Sequence, residues 1–129
     1  MAKTDVPDAD DRSQVKAVAT EYFQAWFAGD GERIRATLHP HLAKRSLREP
    51  ASNSLVLHED PTETLVEDTA SGEGTGFEPT QDVTVCDLSE HIASVVVRSV
   101  PFTEYLHLAK FGDRWLIVNA LYRVPGDPS

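Results

Sequence analysis

His107 and Asn119 are the residues of this chain best suited to handling a proton or anchoring a ligand. They stand in Thr103–Tyr122, TEYLHLAKFGDRWLIVNALY, which reads as two strands folded back around Phe111–Arg114. Histidine changes charge near neutral pH, and an amide both donates and accepts, so a facing pair can bind a polar group or act as acid and base. Register decides whether they meet. With a three-residue loop, Gly112–Arg114, His107 lies opposite Asn119, on the face of Tyr105 and Trp115. With a two-residue loop Asn119 lies opposite Leu106, and the pair is lost. The same two residues also serve simply as satisfied polar groups of a sheet. Glu104 is expected on the face opposite His107. Asp82, with Thr84 and Cys86 on its side, is the strand carboxylate best placed to turn inward and make a catalytic partner for His107.

Other candidates are weaker. Tyr22 and Trp26 lie four apart on one face of a long helix, where Trp26 offers a stacking platform and both equally make plain core. His39 and His41 flank Pro40. Two residues apart on a helix they do not share a face, so the spacing is not that of helical metal ligands, and no metal site is expected. His39 can still close the mouth of a pocket. Lys44, Arg45 and Arg48 offer an anion-binding face if Lys44 and Arg48 sit four apart on a helix, or a solvated helix end. Cys86, among apolar neighbours, is expected in the core. Nothing calls for a cofactor.

The elements that must position these residues follow from periodicity. Val15, Val18, Ala19, Tyr22, Phe23, Trp26 and Phe27 keep the i, i+3, i+4, i+7 rhythm of an amphipathic helix that begins near Asp11–Ser13 and stops at Gly29. Asp30 caps a second helix carrying Ile34 and Leu38. Pro40 is placed to start a third, through Leu42 to about Leu47. Ser54–His58 reads as a short strand. Asp60-Pro61-Thr62-Glu63 reads as a capped helix start with Leu65 and Val66 behind it. Gln81–Asp87, Ile92–Val100 and the two arms of the hairpin complete a meander of four strands. Helices gathered on one face of an antiparallel sheet make an α+β domain. The second arm, Trp115–Tyr122, is apolar on both faces, so both need cover, and a second copy of the chain is expected to supply one of them.

Bulk numbers bound the function. The chain has 129 residues, one domain's worth, with 12 basic against 21 acidic residues and a net charge of −9. That balance argues against nucleic acid or an anionic membrane as partner. No apolar run reaches spanning length. The acidic start, MAKTDVPDADD, is unlike a signal peptide, and a single cysteine makes no internal disulfide, so a cytoplasmic protein is expected. Residues 1–11 read as a disordered acidic tail, 12–124 as a single domain, and 125–129 as a C-terminal tail.

The words Tyr22-Phe23, Gly29-Asp30, Leu38-His39-Pro40, Leu42, Lys44-Arg45, Asp87, Ile92-Ala93, Tyr105-Leu106, Leu108, Trp115 and Ile117-Val118-Asn119, in that order and spacing, resemble the putative lumazine-binding family of the nuclear transport factor 2-like (SnoaL-like) superfamily. The resemblance covers about residues 12–123 and departs most over Glu49–Glu78. It implies a cone-shaped, half-open barrel of the cystatin-like kind, with a strongly curved antiparallel sheet wrapped around the long N-terminal helix. It also implies a pocket between them and a homodimer through the outer sheet face. The expected function is a non-catalytic pocket for a small apolar or aromatic molecule, held by Tyr22, Trp26, His39, Tyr105, His107 and Asn119. The alternatives are an isomerase, cyclase or dehydratase using His107, with Asp82, as acid and base, and a dimeric protein-interaction module.

Overall fold

The computed structural model describes residues 9–51 and 54–123. Its first element is the long helix α1 (Ala9–Ala28). Gly29 ends it at φ +70°, the left-handed conformation that glycine adopts without steric cost, while the Asp30 N–H returns to the Ala25 carbonyl at 2.9 Å. Asp30 then caps α2 (Gly31–Arg35), its side chain accepting the Arg33 N–H at 3.1 Å. There follow β1 (Leu38–Ala51), β2 (Ser54–Glu59), α3 (Thr62–Ala70), β3 (Gln81–Ser89), β4 (Ile92–Ser99), β5 (Thr103–Phe111) and β6 (Arg114–Arg123).

The six strands make one curved, unclosed sheet in the order β2-β1-β6-β5-β4-β3. Every pairing is antiparallel except β1 with β6, so the sheet is mixed. Helix α1 lies against its concave face. Val15, Ala19, Tyr22, Phe23, Trp26 and Phe27 form one core with Val95, Val97, Leu106, Leu108, Ile117 and Ala120. Burying each large side chain of that set is worth about 1.5–3 kcal/mol, and this seam holds the domain together. No helix among the described residues is long and apolar enough to cross a membrane.

Four local expectations are corrected. The first turn of α1 is ordered from Ala9, because Asp11 accepts from Lys110 Nζ at 2.8 Å and from the Trp115 indole at 3.2 Å. The remaining stretches read as tails, residues 1–8 and 125–129, lie outside the described residues, as does residue 124 at the end of the expected domain. The third helix does not exist: α2 ends at Arg35 and residues 38–51 form the longest strand of the sheet. Asp60 does not cap α3, whose N-cap is Pro61 with no side-chain bond. Cys86 is exposed, at a bulge between Val85 and Asp87 of β3.

The hairpin carries the most consequential difference. Its loop has two residues, Gly112 and Asp113, with Phe111 opposite Arg114 and Lys110 opposite Trp115. Yet His107 does sit opposite Asn119, because Val118 is an extra residue in β6, a bulge between the Leu108–Ile117 and His107–Asn119 pairs. The bulge flips the strand's parity. Trp115 and Ile117 point inward before it, Ala120 after it, while Asn119 and Leu121 are exposed. A strand apolar on both sides is thus explained by one irregular residue.

Candidate functional site

The inward side of β5 is Glu104, Leu106 and Leu108, all buried. Glu104, expected outside, is therefore at the floor of the hollow. Two other elements converge on it. Tyr22, two turns from the end of α1, donates its hydroxyl to Glu104 Oε2 at 2.9 Å. Lys44 of β1 donates from Nζ to the same oxygen at 3.0 Å and also to the Tyr22 hydroxyl. The Lys44 ammonium also stands over two aromatic rings, 4.7 Å from the Tyr122 centroid and 5.1 Å from that of Tyr22. Lys44 and Glu104 keep 8% and 3% of their surface, so this is a buried ion pair rather than a surface one. Burial, and then the negative charge of Glu104, push the Tyr22 phenol well above its ordinary pKa. Its proton is held.

A pocket opens onto this cluster. Its enclosed volume is about 100 Å³, and Tyr22, Trp26, Lys44, Phe102, Glu104 and Tyr122 surround it. Its aromatic wall is continuous: Trp26 packs on Phe102 with centroids 5.7 Å apart, and Phe102 meets Tyr122 edge-on at 5.1 Å. Phe77 stacks on Trp26 at 5.5 Å from the loop after α3. A second polar group stands at the rim. The carboxylate of Asp60 accepts from the Tyr122 hydroxyl at 2.8 Å, approaches the His58 ring at 2.8 Å, and lies 3.8 Å from Arg48. Burial and the bond to Asp60 push the Tyr122 phenol up to about 12. Asp68, from the last turn of α3, and Glu73, just beyond it, complete the mouth.

Of the expected site residues, Tyr22 and Trp26 are brought together here. His107, Asn119 and Tyr105 are not. His107 and Asn119 do bond to one another at 3.3 Å, but both are exposed on the outer sheet face, and Tyr105 is 55% exposed beside them. The expected alternation of β5 is present, but its two faces are exchanged between the hollow and the outside. Tyr105, His107, Ala109 and Phe111 are the more apolar set, whereas the inner set carries Glu104 and Lys110, each neutralised inside. Asp82 is exposed on its strand and does not approach His107. His39 is half-buried at the far end of β1, its ring 4.6 Å from that of Phe111, away from the pocket. Among the described residues no group of His, Cys, Asp or Glu side chains is gathered to hold a metal ion.

Sequence reasoning missed Glu104, Asp60, Phe102 and Tyr122, and saw Lys44 and Arg48 only as a helix face. One signal was present. Lys44, Ser46 and Arg48 alternate, and polar residues at every second position are what a strand shows when its inner face lines a polar pocket.

A family model described as putative lumazine-binding matches residues 10–123. No curated protein matches the chain. Among solved structures, an NTF2-like protein of unknown function from Methylobacillus flagellatus superposes with a TM-score of 0.72 at 19% identity, covering 96% of this chain and 99% of that one. A domain of unknown function with a cystatin-like fold from Nostoc punctiforme gives 0.62 at 15% identity, with 92% and 80% covered. A protein described as a putative scytalone dehydratase from Novosphingobium aromaticivorans gives 0.57 at 15% identity, with 90% and 85% covered. At such identities these likenesses establish the fold alone.

Proposed function

The chain belongs to the putative lumazine-binding family, and from that premise we propose that it is a small-molecule-binding protein whose ligand enters the pocket over Lys44, Glu104 and Tyr22. The carrying observation is the buried ion pair. Removing two charges from water costs several kcal/mol per ion, and such a pair is seldom worth keeping for stability alone. A pair that also faces an aromatic-walled pocket fits recognition. The ligand is small and largely apolar, with a flat part against Trp26 and Phe102 and a polar head at the floor. The reading is non-catalytic, because Lys44, the Tyr22 hydroxyl and Glu104 Oε2 are bonded to one another.

Native mass spectrometry of the purified protein tests this. A bound species of fixed mass is expected, lost in Phe102→Ala and in the double variant Lys44→Met/Glu104→Leu. No adduct in the parent, or one that survives both changes, refutes the pocket.

One observation favours an enzyme as the second reading: a phenol held between an ammonium and a carboxylate is the equipment of proton transfer. The acid and base would then be Glu104 and Tyr22, not His107 and Asp82, which face away from the pocket. Turnover abolished by Glu104→Gln with ligand binding retained would establish it.

Two further assignments belong to the same proposal. The chain works as a homodimer through its outer sheet face, where Leu57, Tyr105 and Leu121 are exposed around a groove of about 670 Å³. It works in the reducing cytoplasm, where an exposed free thiol such as Cys86 persists, and its net charge of −9 sets nucleic acid aside as partner.

A further inference from the structure

The pocket's charges do not balance. Its lining carries Lys44 and Arg48 against Asp60, Asp68, Glu73 and Glu104. Both cations are already engaged, Lys44 by Glu104 and Arg48 by Asp60. Asp68 and Glu73 remain, with no ion pair from either carboxylate among the described residues. Asp68 sits where a carboxylate is unfavourable. It is in the last turn of α3, at the negative end of the helix dipole, and that turn holds no basic residue.

A third acceptor lies deeper. Glu104 uses Oε2 for both its bonds, to Tyr22 and to Lys44. Its other oxygen, Oε1, makes none. Among the described residues the buried side-chain atom that lacks a partner is Thr69 Oγ1, so Glu104 Oε1 is not sealed off. On a side chain 3% exposed that lines the pocket, this oxygen faces the pocket space. The enclosed volume of about 100 Å³ is smaller than the engineered 150 Å³ cavity that takes benzene, so a head group fits inside and a ring stays at the mouth.

Resting on the pocket reading above, we infer that the ligand is a small organic cation: a primary or secondary ammonium on a flat apolar body. The ammonium donates to Glu104 Oε1 on the inside, with Asp68 and Glu73 supplying the balancing charge, and the flat body lies along Trp26 and Phe102. Burial, and then the charge of Asp68, hold the Glu73 carboxyl above its ordinary range, against the opposing pull of Lys44 and Arg48. An anion, the ligand that Lys44 and Arg48 suggest from sequence, meets two cations already neutralised and two carboxylates that are not.

Three probes of one shape decide it: benzylammonium, benzyl alcohol and benzoate, titrated into the full chain by calorimetry. Benzylammonium is expected to bind about tenfold tighter than the alcohol, with benzoate weakest. The double variant Asp68→Asn/Glu73→Gln, outside the core, is expected to erase most of that preference, read as the ratio of benzylammonium to benzyl alcohol affinity in the same variant. Benzoate binding as well as benzylammonium, or a preference that survives the double variant, overturns the charge inference. If the alcohol still binds, and loses binding in Phe102→Ala, the pocket reading stands without it. Failure of all three probes overturns both.

Discussion

At the scale of single residues, Glu104 is where stability and recognition meet. Its carboxylate is buried, so its partners cannot turn to water when it is lost. Removing one member of such a pair strands a buried charge, at about 3–5 kcal/mol, whereas replacing both with apolar groups is often nearly neutral. Glu104→Leu is therefore expected to destabilise by about 3–5 kcal/mol in urea denaturation, and Lys44→Met/Glu104→Leu to recover most of the loss. A double variant as unstable as the sum of its parts would mean that the two charges are not coupled, and would refute the stranded-charge account. Tyr122 supplies a pH dependence. Its phenol, an ordinary 10 when unfolded, is pushed up to about 12 in the fold. A raised folded-state pKa adds stability that is present below pH 10 and lost as the pH climbs through 12. Denaturant midpoints should fall across that window. In Tyr122→Phe the fall should still begin near pH 10, where the unfolded phenol of Tyr22 ionises, but be shallower, because one raised phenol contributes instead of two.

Among the elements, those with simple periodicity were legible. The aromatic face of α1, the Gly29 stop, the Asp30 cap and the Gly112 turn each follow from local rules, and each is found in place. What failed did so for physical reasons. Residues 38–51 carry leucines at 38, 42 and 47, a near-helical rhythm, while the inward positions Lys44 and Ser46 are polar. Their strand state is imposed by pairing with β2 and β6, which a local reading does not see. The orientation of β5 was hidden in the same way: two of its inward residues are charges whose partners, Lys44 and Asp11, come from distant parts of the chain. The loop after α3 looked merely flexible from its glycines, yet Gly74 presses on Trp26. A Cβ there would lie 2.5 Å from both the indole ring and the Trp26 carbonyl. Backbone cannot yield as a side-chain tip does, so Gly74→Ala should cost about 1–3 kcal/mol. It should also lift Phe77 from its stack, read as a change in Trp26 fluorescence. An unchanged melting curve would mean that the loop does not bear on the pocket wall.

For the whole molecule, the open question is what covers the convex side of the sheet. Leu57, Tyr105 and Leu121 are each about half exposed there, on three different strands, with Arg45, Arg98 and Arg123 exposed on neighbouring positions. An apolar patch of that kind on a folded domain marks a binding surface, and a second copy can cover it if each contributes about 800 Å². Two forces then compete. Apolar burial favours association, and the charge of −9 on each copy opposes it at long range. Salt screens the second and leaves the first, with a Debye length falling from about 10 Å at 0.1 M to about 3 Å at 1 M. Multi-angle light scattering should therefore report twice the chain mass at micromolar concentration, and a dimer that tightens as salt is raised. Leu121→Asp, exposed in the single chain, should give a folded monomer with an unaltered pocket. If the parent scatters as one chain at every salt concentration, the convex face is not a self-association surface. If salt dissociates the dimer instead, charge pairing rather than apolar burial holds the two copies together.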